Sequence, residues 1–291
     1  MKKKRRIGDR SDGRRIRSLD PIAAMIPFIM KKRNGASNCV ADTLDITEVE
    51  RYLREKAKSG HIGMGMLHFL IASYVRVISQ YPGVNRFCVG QRVYARNNIE
   101  FVMMVKRGLN SSASSTTLKI EFAPTDTIYD VYDKLNAEIE RVVGEKEDTN
   151  TDGAARLFTK IPRLFLKFTV WNLELLDYFG KLPKWILKAS PFHGSVFFTD
   201  VGSIGLPAIY HHLYDFGNLP IFISLGAKRK VFMPGADGKV SARRHVDIKL
   251  VMDERICDGF YFSRAYKYLK TILRNPQILE EPPEIVKEDI A

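Results

Sequence analysis

Residues 246–264 limit what this chain can fold into more than any other stretch. The stretch opens with apolar residues at every second position, which is the period of a strand with one buried face: Val246, Ile248, Leu250 and Met252. Three charges follow in Asp253-Glu254-Arg255, and Asp258-Gly259 gives a turn before a helix-periodic run from Phe260 to Leu273. We therefore expect a strand, a charged turn and a helix. In sheet proteins such a turn is a common place for chemistry.

The charged turn carries a family resemblance. Asp253 to Gly259 reads D-E-R-I-C-D-G. It resembles the D-H-R-x-x-D-G signature in the catalytic domain of dihydrolipoyl acyltransferases from 2-oxo acid dehydrogenase complexes, whose fold is shared with chloramphenicol acetyltransferase. In that family the His is the general base that takes the proton from the attacking thiol or hydroxyl. Glu254 stands at that position here. The resemblance implies that Glu254 and Asp258 are catalytic and that Gly259 supports the turn.

A second stretch resembles the same family. Phe198 to Gly202 reads F-T-D-V-G and is similar to the family's I-S-N-L-G, whose Ser or Thr hydroxyl hydrogen-bonds the oxyanion of the tetrahedral intermediate. Thr199 takes that position, and the resemblance implies that it is catalytic. A fixed hydroxyl there favours the transition state, because charge develops on the carbonyl oxygen only as the reaction proceeds. The alternative is that Thr199 is an ordinary β-branched residue in a strand.

Three further residues are candidates for the site. Arg17 lies in a segment that resembles the arginine-bearing start of the family's catalytic domain, which implies an ion pair with Asp258. The alternative is a surface arginine. His211 and His212 are adjacent, so they make a poor metal pair, and we expect no metal site. Either histidine could be a substitute base, although structural hydrogen bonding is the default interpretation.

The resemblance covers roughly residues 15–283 and implies the fold class. We expect an α/β protein of two-layer α+β type, with a chloramphenicol acetyltransferase-like mixed β-sheet flanked by helices. It also implies a homotrimer with each active site between subunits, so that Thr199 of one copy faces Glu254 and Asp258 of the next. We divide the 291 residues into a basic flexible arm (1–17), an acyltransferase-like catalytic domain (18–283) and a C-terminal tail (284–291).

The charge is concentrated in the arm. The whole chain carries +13, and residues 1–17 hold nine Lys/Arg and two Asp, which gives +7 for the arm alone. We interpret the arm as solvated. Contact with nucleic acid, anionic lipid or an acidic partner is the alternative, and no nucleic-acid motif supports the first of these. No apolar run is long enough to cross a bilayer, and the N-terminus lacks the apolar part of a signal peptide. Three widely spaced cysteines, Cys39, Cys88 and Cys257, fit a reducing cytoplasm.

The segment Arg156 to Ala189 departs from the family pattern. It alternates aromatic and aliphatic residues with lysines and arginines, and Pro162 and Pro183 should divide it into helices. We favour packing over the core or at a subunit contact. Lying on a membrane and receiving an acyl chain are the alternatives.

The resemblance leaves two functional hypotheses. The first is an acyltransferase that moves an acyl group between coenzyme A and a thiol or hydroxyl acceptor, with Glu254 as an altered base. A coenzyme A thioester would be a substrate, and we identify no lipoyl attachment domain, so the acyl donor arrives from outside. Components of a 2-oxo acid dehydrogenase complex are candidate partners, and the acceptor is open. The second is a catalytically inactive family member that binds coenzyme A or an acyl group, or serves as a trimeric scaffold.

Overall fold

The computed structural model describes residues 5–106, 115–144, 161–234 and 238–291. Within these ranges the strands form a three-stranded sheet and a seven-stranded sheet. They are β1 (Gly13–Arg15), β2 (Ser37–Asp45), β3 (Arg86–Val89), β4 (Arg92–Arg96), β5 (Ile99–Lys106), β6 (Ser115–Phe122), β7 (Val196–Asp200), β8 (Ile221–Leu225), β9 (Arg229–Pro234) and β10 (Val240–Asp253). The helices are α1 (Pro21–Ile29), α2 (Thr47–Lys58), α3 (Met66–Gln80), α4 (Ile128–Gly144), α5 (Arg163–Tyr178), α6 (Lys184–Ala189) and α7 (Gly259–Arg274).

The large sheet is mixed, in the order β2-β10-β8-β7-β5-β6, and β9 pairs with the first half of β10. Strands β5, β7 and β8 run parallel, whereas β10 is antiparallel to both of its main neighbours, β2 and β8. One face packs against α2, α3, α4 and α7 in the main apolar core. The expected mixed sheet flanked by helices is therefore confirmed.

The other face of the sheet has a smaller core. Phe197, Phe222 and Val251 pack there against Leu213 and Leu219, which lie in the irregular segment 206–220. The alternation along β7, β8 and β10 assigns each residue to one face, because successive side chains in a strand point to opposite sides. This second face is the one on which Thr199 lies.

Part of the N-terminal arm packs against the body, which corrects the prediction that residues 1–17 are a flexible arm. Gly13–Arg15 pairs with β4, and Ile16 is buried. Arg10 is only 3% exposed, and its guanidinium binds Asp12 and Asp177. The prediction of a flexible arm is wrong for residues 9–17 because it counted charges and missed the buried acidic partner of Arg10.

The C-terminal residues pack against the same region. The carbonyl oxygen of Ala291 accepts hydrogen bonds from the backbone N–H groups of Arg17 and Ser18, at 3.1 and 3.0 Å. Arg86 on β3 forms an ion pair of 2.5 Å with Asp289. Residues 284–291 are therefore bonded to the body, and the boundary at 283 does not separate a free tail.

Truncation distinguishes the exposed from the packed part of the arm. Deleting residues 1–12 should lower the melting temperature by roughly 4 °C or more, because it removes Arg10 from a buried ion pair and each kcal/mol shifts Tm by about 2–4 °C in a chain of this size. Deleting only residues 1–8 is the matched control and should change it by less than about 1 °C. Differential scanning calorimetry measures both. Equal melting temperatures for the two truncations would contradict the packing role of Arg10.

The described part of the aromatic segment forms α5 and α6, which begin directly after Pro162 and Pro183 as predicted. Residues 156–160 lie outside the described ranges. Only Asp177 is buried in α5, so the interpretation that this helix packs over the core is wrong. None of the helices in the described ranges is long and apolar enough to span a membrane.

Candidate functional site

The turn after β10 is built on a buried ion pair. Asp253 is fully buried and accepts two side-chain hydrogen bonds from Arg255, Nε to Oδ1 and Nη2 to Oδ2, both at 2.8 Å. The Nε atom of Arg33 lies 3.6 Å from Oδ2 of Asp253. Burial alone would lower the pKa of Arg255, but the hydrogen bonds to Asp253 hold it above its ordinary value. Asp253 and Arg255 therefore fix the turn from inside, and the residue between them faces outward.

That residue is Glu254. Its backbone N–H donates to the carbonyl oxygen of Ala36 at 2.9 Å, which fixes the backbone, while the side chain is half-buried. Within the part of the chain that the structure describes, the carboxylate of Glu254 has neither a hydrogen bond nor an ion pair. The backbone of Glu254 is thus anchored while its carboxylate is unpartnered, and such a carboxylate can accept a proton from a bound group.

Asp258 and Gly259 form the start of α7. Asp258 is the N-cap, and its Oδ1 accepts a hydrogen bond of 2.7 Å from the backbone N–H of Tyr261. Gly259 has open space where a Cβ would lie, and its φ is outside the left-handed region. Nothing in the described parts of this chain therefore requires a glycine at 259. A surface that packs closely against this turn would supply a reason.

Cys257 lies inside the motif but is not a nucleophile. Its side chain is buried, and burial raises the pKa of the thiol to about 12. A thiol of that pKa is protonated at neutral pH, and the thiolate is the reactive form. Cys257 serves packing.

Thr199 lies at the end of β7, half-buried on the second face of the sheet. Asp200 follows it, and Oδ1 of Asp200 accepts from the backbone N–H of Ser203 at 3.2 Å, which starts a short turn. Gly202 lies in that turn, where a Cβ would collide with the backbone of Gly226. The F-T-D-V-G segment thus has a local physical reason for its glycine: the turn must pass tightly over the strand end beside it.

Thr199 and Glu254 are not brought together within one chain. Thr199 is in register with Ser224 on β8, and Ser224 is in register with Lys249 on β10. Glu254 follows Lys249 by five residues, so about 16 Å of strand and two strand spacings of about 4.8 Å separate the two candidates. The implied site between copies stays a prediction, and a single chain does not hold a substrate between these residues.

The pairing of Arg17 with Asp258 is wrong within the chain. The Arg17 guanidinium donates to the carbonyl oxygens of Ile7 and Arg15 at 2.8 and 3.1 Å and lies 3.3 Å from Asp9. The pairing of β1 with β4 fixes the backbone just before Arg17 and directs this side chain back to its own segment. The alternative interpretation, a surface arginine, fits the structure.

His211 lies on the same face as Thr199. Its ring stacks on Phe222, with the centroids 4.0 Å apart, and Phe222 is in register with Phe197, two residues before Thr199. Nδ1 of His211 is 2.8 Å from the carbonyl oxygen of His212. Because a carbonyl only accepts, Nδ1 carries a proton and Nε2 is the acceptor in the neutral ring. Burial lowers the pKa of His211, which favours that neutral form. His212 is exposed.

Sequence reasoning missed the row formed by Thr199, Ser224 and Lys249. The three residues follow one another across β7, β8 and β10 on one face, and the Lys249 ammonium lies 4.4 Å from the ring centre of Tyr210. The available signal was a lysine between the apolar residues Ile248 and Leu250. The position of Lys249 beside Ser224 depends on strand register, which cannot be read from the sequence. Among the described residues no group of three or more His, Cys, Asp or Glu side chains could hold a metal ion.

Solved structures share this fold. A probable dihydrolipoamide acetyltransferase from Listeria monocytogenes superposes with a TM-score of 0.55 at 14% identity, covering 88% of this chain and 93% of that one. A truncated catalytic core of the 2-oxoacid dehydrogenase multienzyme complex from Thermoplasma acidophilum gives 0.53 at 16% identity, covering 90% and 99%. A chloramphenicol acetyltransferase gives 0.51 at 15% identity, covering 88% and 96%.

No protein-family profile matches the chain. No curated protein sequence matches it significantly. At identities this low, the structural similarity establishes the fold alone, and any activity has to be argued from the residues of the site.

Proposed function

We propose that this protein is an acyltransferase that moves an acyl group between coenzyme A and a thiol or hydroxyl acceptor, in a site assembled between the copies of a homotrimer. The observation that carries the proposal is the position of the two family-like segments. Glu254 and Thr199 lie at opposite ends of one sheet, each held by its backbone and each unable to meet the other within a chain. In a ring of three copies, the Thr199 end of each sheet can meet the Glu254 end of the next copy.

Glu254 would act as the general base. As the acceptor approaches the thioester carbonyl, the carboxylate takes the proton from its sulfur or oxygen while the new acyl bond forms. The tetrahedral intermediate then collapses, the bond to the coenzyme A sulfur breaks, and the protonated Glu254 returns the proton to that sulfur. The buried pair of Asp253 and Arg255 supports this role by holding the turn.

Thr199 would stabilise the oxyanion. Its hydroxyl is a donor on a fixed strand, and removal of one such donor costs about 10²–10³ in rate. Lys249, two strands away in the same row, adds positive charge to the same face.

The acyl donor would come from outside the chain. The similar structures include cores of 2-oxo acid dehydrogenase complexes, so acyl groups made by such complexes are the first donors to test. The acceptor is identified by screening thiols and alcohols with each donor.

Subunit complementation tests the proposal directly. Thr199→Ala and Glu254→Gln should each lower the rate of transfer by about a hundredfold or more on their own. When the two variants are unfolded together at equal amounts and refolded, about a quarter of the sites should combine an intact Thr199 from one copy with an intact Glu254 from the next. Thioester consumption, followed as release of free coenzyme A, measures the recovery, and light scattering gives the mass of the assembly.

Two controls accompany the mixture. Wild-type protein carried through the same refolding fixes the reference activity, and each variant refolded alone fixes the background. Recovery that stays at background in a well-formed trimer would contradict a site shared between copies. A monomer at micromolar concentration would contradict the assembly itself.

A further inference from the structure

The outer surface of α5 is an apolar stripe. Five large residues recur at helical spacing, and all of them are exposed: Leu164, Phe168, Trp171, Leu175 and Tyr178. The residues on the opposite side, Leu166 and Leu173, are half-buried and Asp177 is buried, so that side faces the body. The helix is thus amphipathic in the reverse sense: its most apolar face points to solvent.

The stripe is held rigidly outward. At the end of α5, Asp177 binds Arg10 at 2.5 Å, and the Tyr178 hydroxyl donates to the side chain of Gln91 at 2.8 Å. Lys119 on β6 donates to the carbonyl oxygen of Leu187 in α6 at 2.7 Å. Both helices are therefore bonded to the body by polar contacts, and the apolar face stays at the surface. An exposed apolar face of this size marks an interaction surface.

Positive charge borders the stripe. Residues 161–189 carry five exposed basic side chains: Arg163, Lys167, Lys181, Lys184 and Lys188. The acids in the same range are Glu174 and Asp177, and Asp177 is bonded to Arg10. The surface therefore joins an apolar stripe to an excess of cations, which is the composition that an anionic lipid interface complements.

Both tryptophans of the chain are on this surface. The sequence contains two, Trp171 on α5 and Trp185 on α6, and they are 53% and 72% exposed. The indole ring is apolar and carries one polar N–H, so it prefers the boundary between lipid and water. A second copy of this chain is a poorer occupant, because its 46 Lys/Arg against 33 Asp/Glu give it a net positive charge, the same sign as this surface.

We propose that the α5–α6 surface, residues 163–189, docks this protein on an anionic lipid bilayer. The helices lie in the plane of the interface: the stripe enters the boundary between headgroups and acyl chains, and the lysines reach the lipid phosphates. This docking is independent of acyl transfer. It needs neither Glu254 nor Thr199.

The two tryptophans report on the docking without a label. Vesicles of phosphatidylglycerol should shift the tryptophan emission of the full chain to shorter wavelength and sediment the protein with them. Vesicles of phosphatidylcholine alone should bind much less, and added salt should release the protein, because the attraction to anionic headgroups is screened.

Matched variants separate the apolar from the electrostatic part. Phe168→Ser should lower the vesicle partition coefficient by about tenfold or more, because a phenyl ring no longer enters the lipid. Phe28→Ser on α1 is its control, since both phenylalanines are 62% exposed, and it should leave the partition unchanged. Lys181→Glu combined with Lys184→Glu should lower the coefficient by about tenfold or more, whereas Lys31→Glu with Lys58→Glu should not.

Three results would overturn the proposal. One is the absence of sedimentation with phosphatidylglycerol vesicles, and another is an equal loss for Phe168→Ser and Phe28→Ser. The third is a tryptophan emission that already lies at short wavelength without lipid and moves to longer wavelength when dilution dissociates the assembly. That last result would assign the surface to a contact between copies.

Discussion

Glu254→Gln should lower the rate of acyl transfer by about 10²–10⁴-fold, the range that a positioned general base contributes. The amide keeps the size of the side chain but accepts no proton from the nucleophile. Because the carboxylate has no partner in the described part of the chain, the substitution breaks no contact, so assembly and melting temperature should stay unchanged. Steady-state release of coenzyme A from the best thioester of a donor screen measures the rate.

The controls ask whether the base is at 254 or elsewhere. Glu254→His restores the residue of the resembling family and should retain or raise activity. Glu55→Gln, an exposed glutamate on α2, should have no effect. Our assignment fails if His211→Ala abolishes transfer while Glu254→Gln leaves it intact, because His211 shares a face with Thr199. If the wild type transfers no acyl group but binds coenzyme A, the inactive alternative is correct.

Asp253→Asn should lower the free energy of unfolding by about 3–5 kcal/mol, the usual cost of removing one partner from a buried ion pair. Asn keeps the volume but leaves the guanidinium of Arg255, and that of Arg33 beside it, without a counter-charge. The cost is high because neither arginine can turn to water from its buried position. Urea unfolding followed by circular dichroism measures it.

An exposed ion pair on the same strand is the matched control. Asp247 pairs with Arg229 near the surface, so Asp247→Asn should change the free energy of unfolding by no more than about 1 kcal/mol. A double variant, Asp253→Asn with Arg255→Met, should recover part of the loss, since it removes one of the stranded charges. Equal losses for Asp253→Asn and Asp247→Asn would mean that burial of the pair contributes nothing.

The sequence predicted the strand, turn and helix at 246–273 because its period changes there from two to about 3.6. The structure ends β10 at Asp253 and begins α7 at Gly259. The apolar, β-branched run from Ser195 to Thr199 also indicates a strand, and the structure places β7 at Val196–Asp200. Local patterns therefore predict local elements, whereas both segments of the candidate site were identified by their resemblance to the acyltransferase family.

Long-range partners could not be predicted in this way. Arg10 appeared to be one of many charges in an arm, yet its partner Asp177 is 167 residues away. The position of His211 against Phe222 depends on the path of an irregular segment over the sheet, and no periodicity encodes that path. Composition predicts that the aromatic residues of α5 pack over the core or at a subunit contact, because composition alone does not tell an outward stripe from an inward one; the structure contradicts packing over the core, and the subunit contact stays a prediction.

The place of β10 in the sheet has a consequence for biosynthesis. This strand pairs with β2 on one side and β8 on the other, and Asp45 meets His245 across some 200 residues of chain. At about 5–20 residues per second, a ribosome takes roughly 10–40 s between the two. During that interval β2 has no neighbour, and the edge of β8 is open from its own synthesis until β10 follows; unpaired edges are sites of aggregation. A nascent chain therefore needs protection until its last strand emerges, and a product truncated before residue 240 would aggregate.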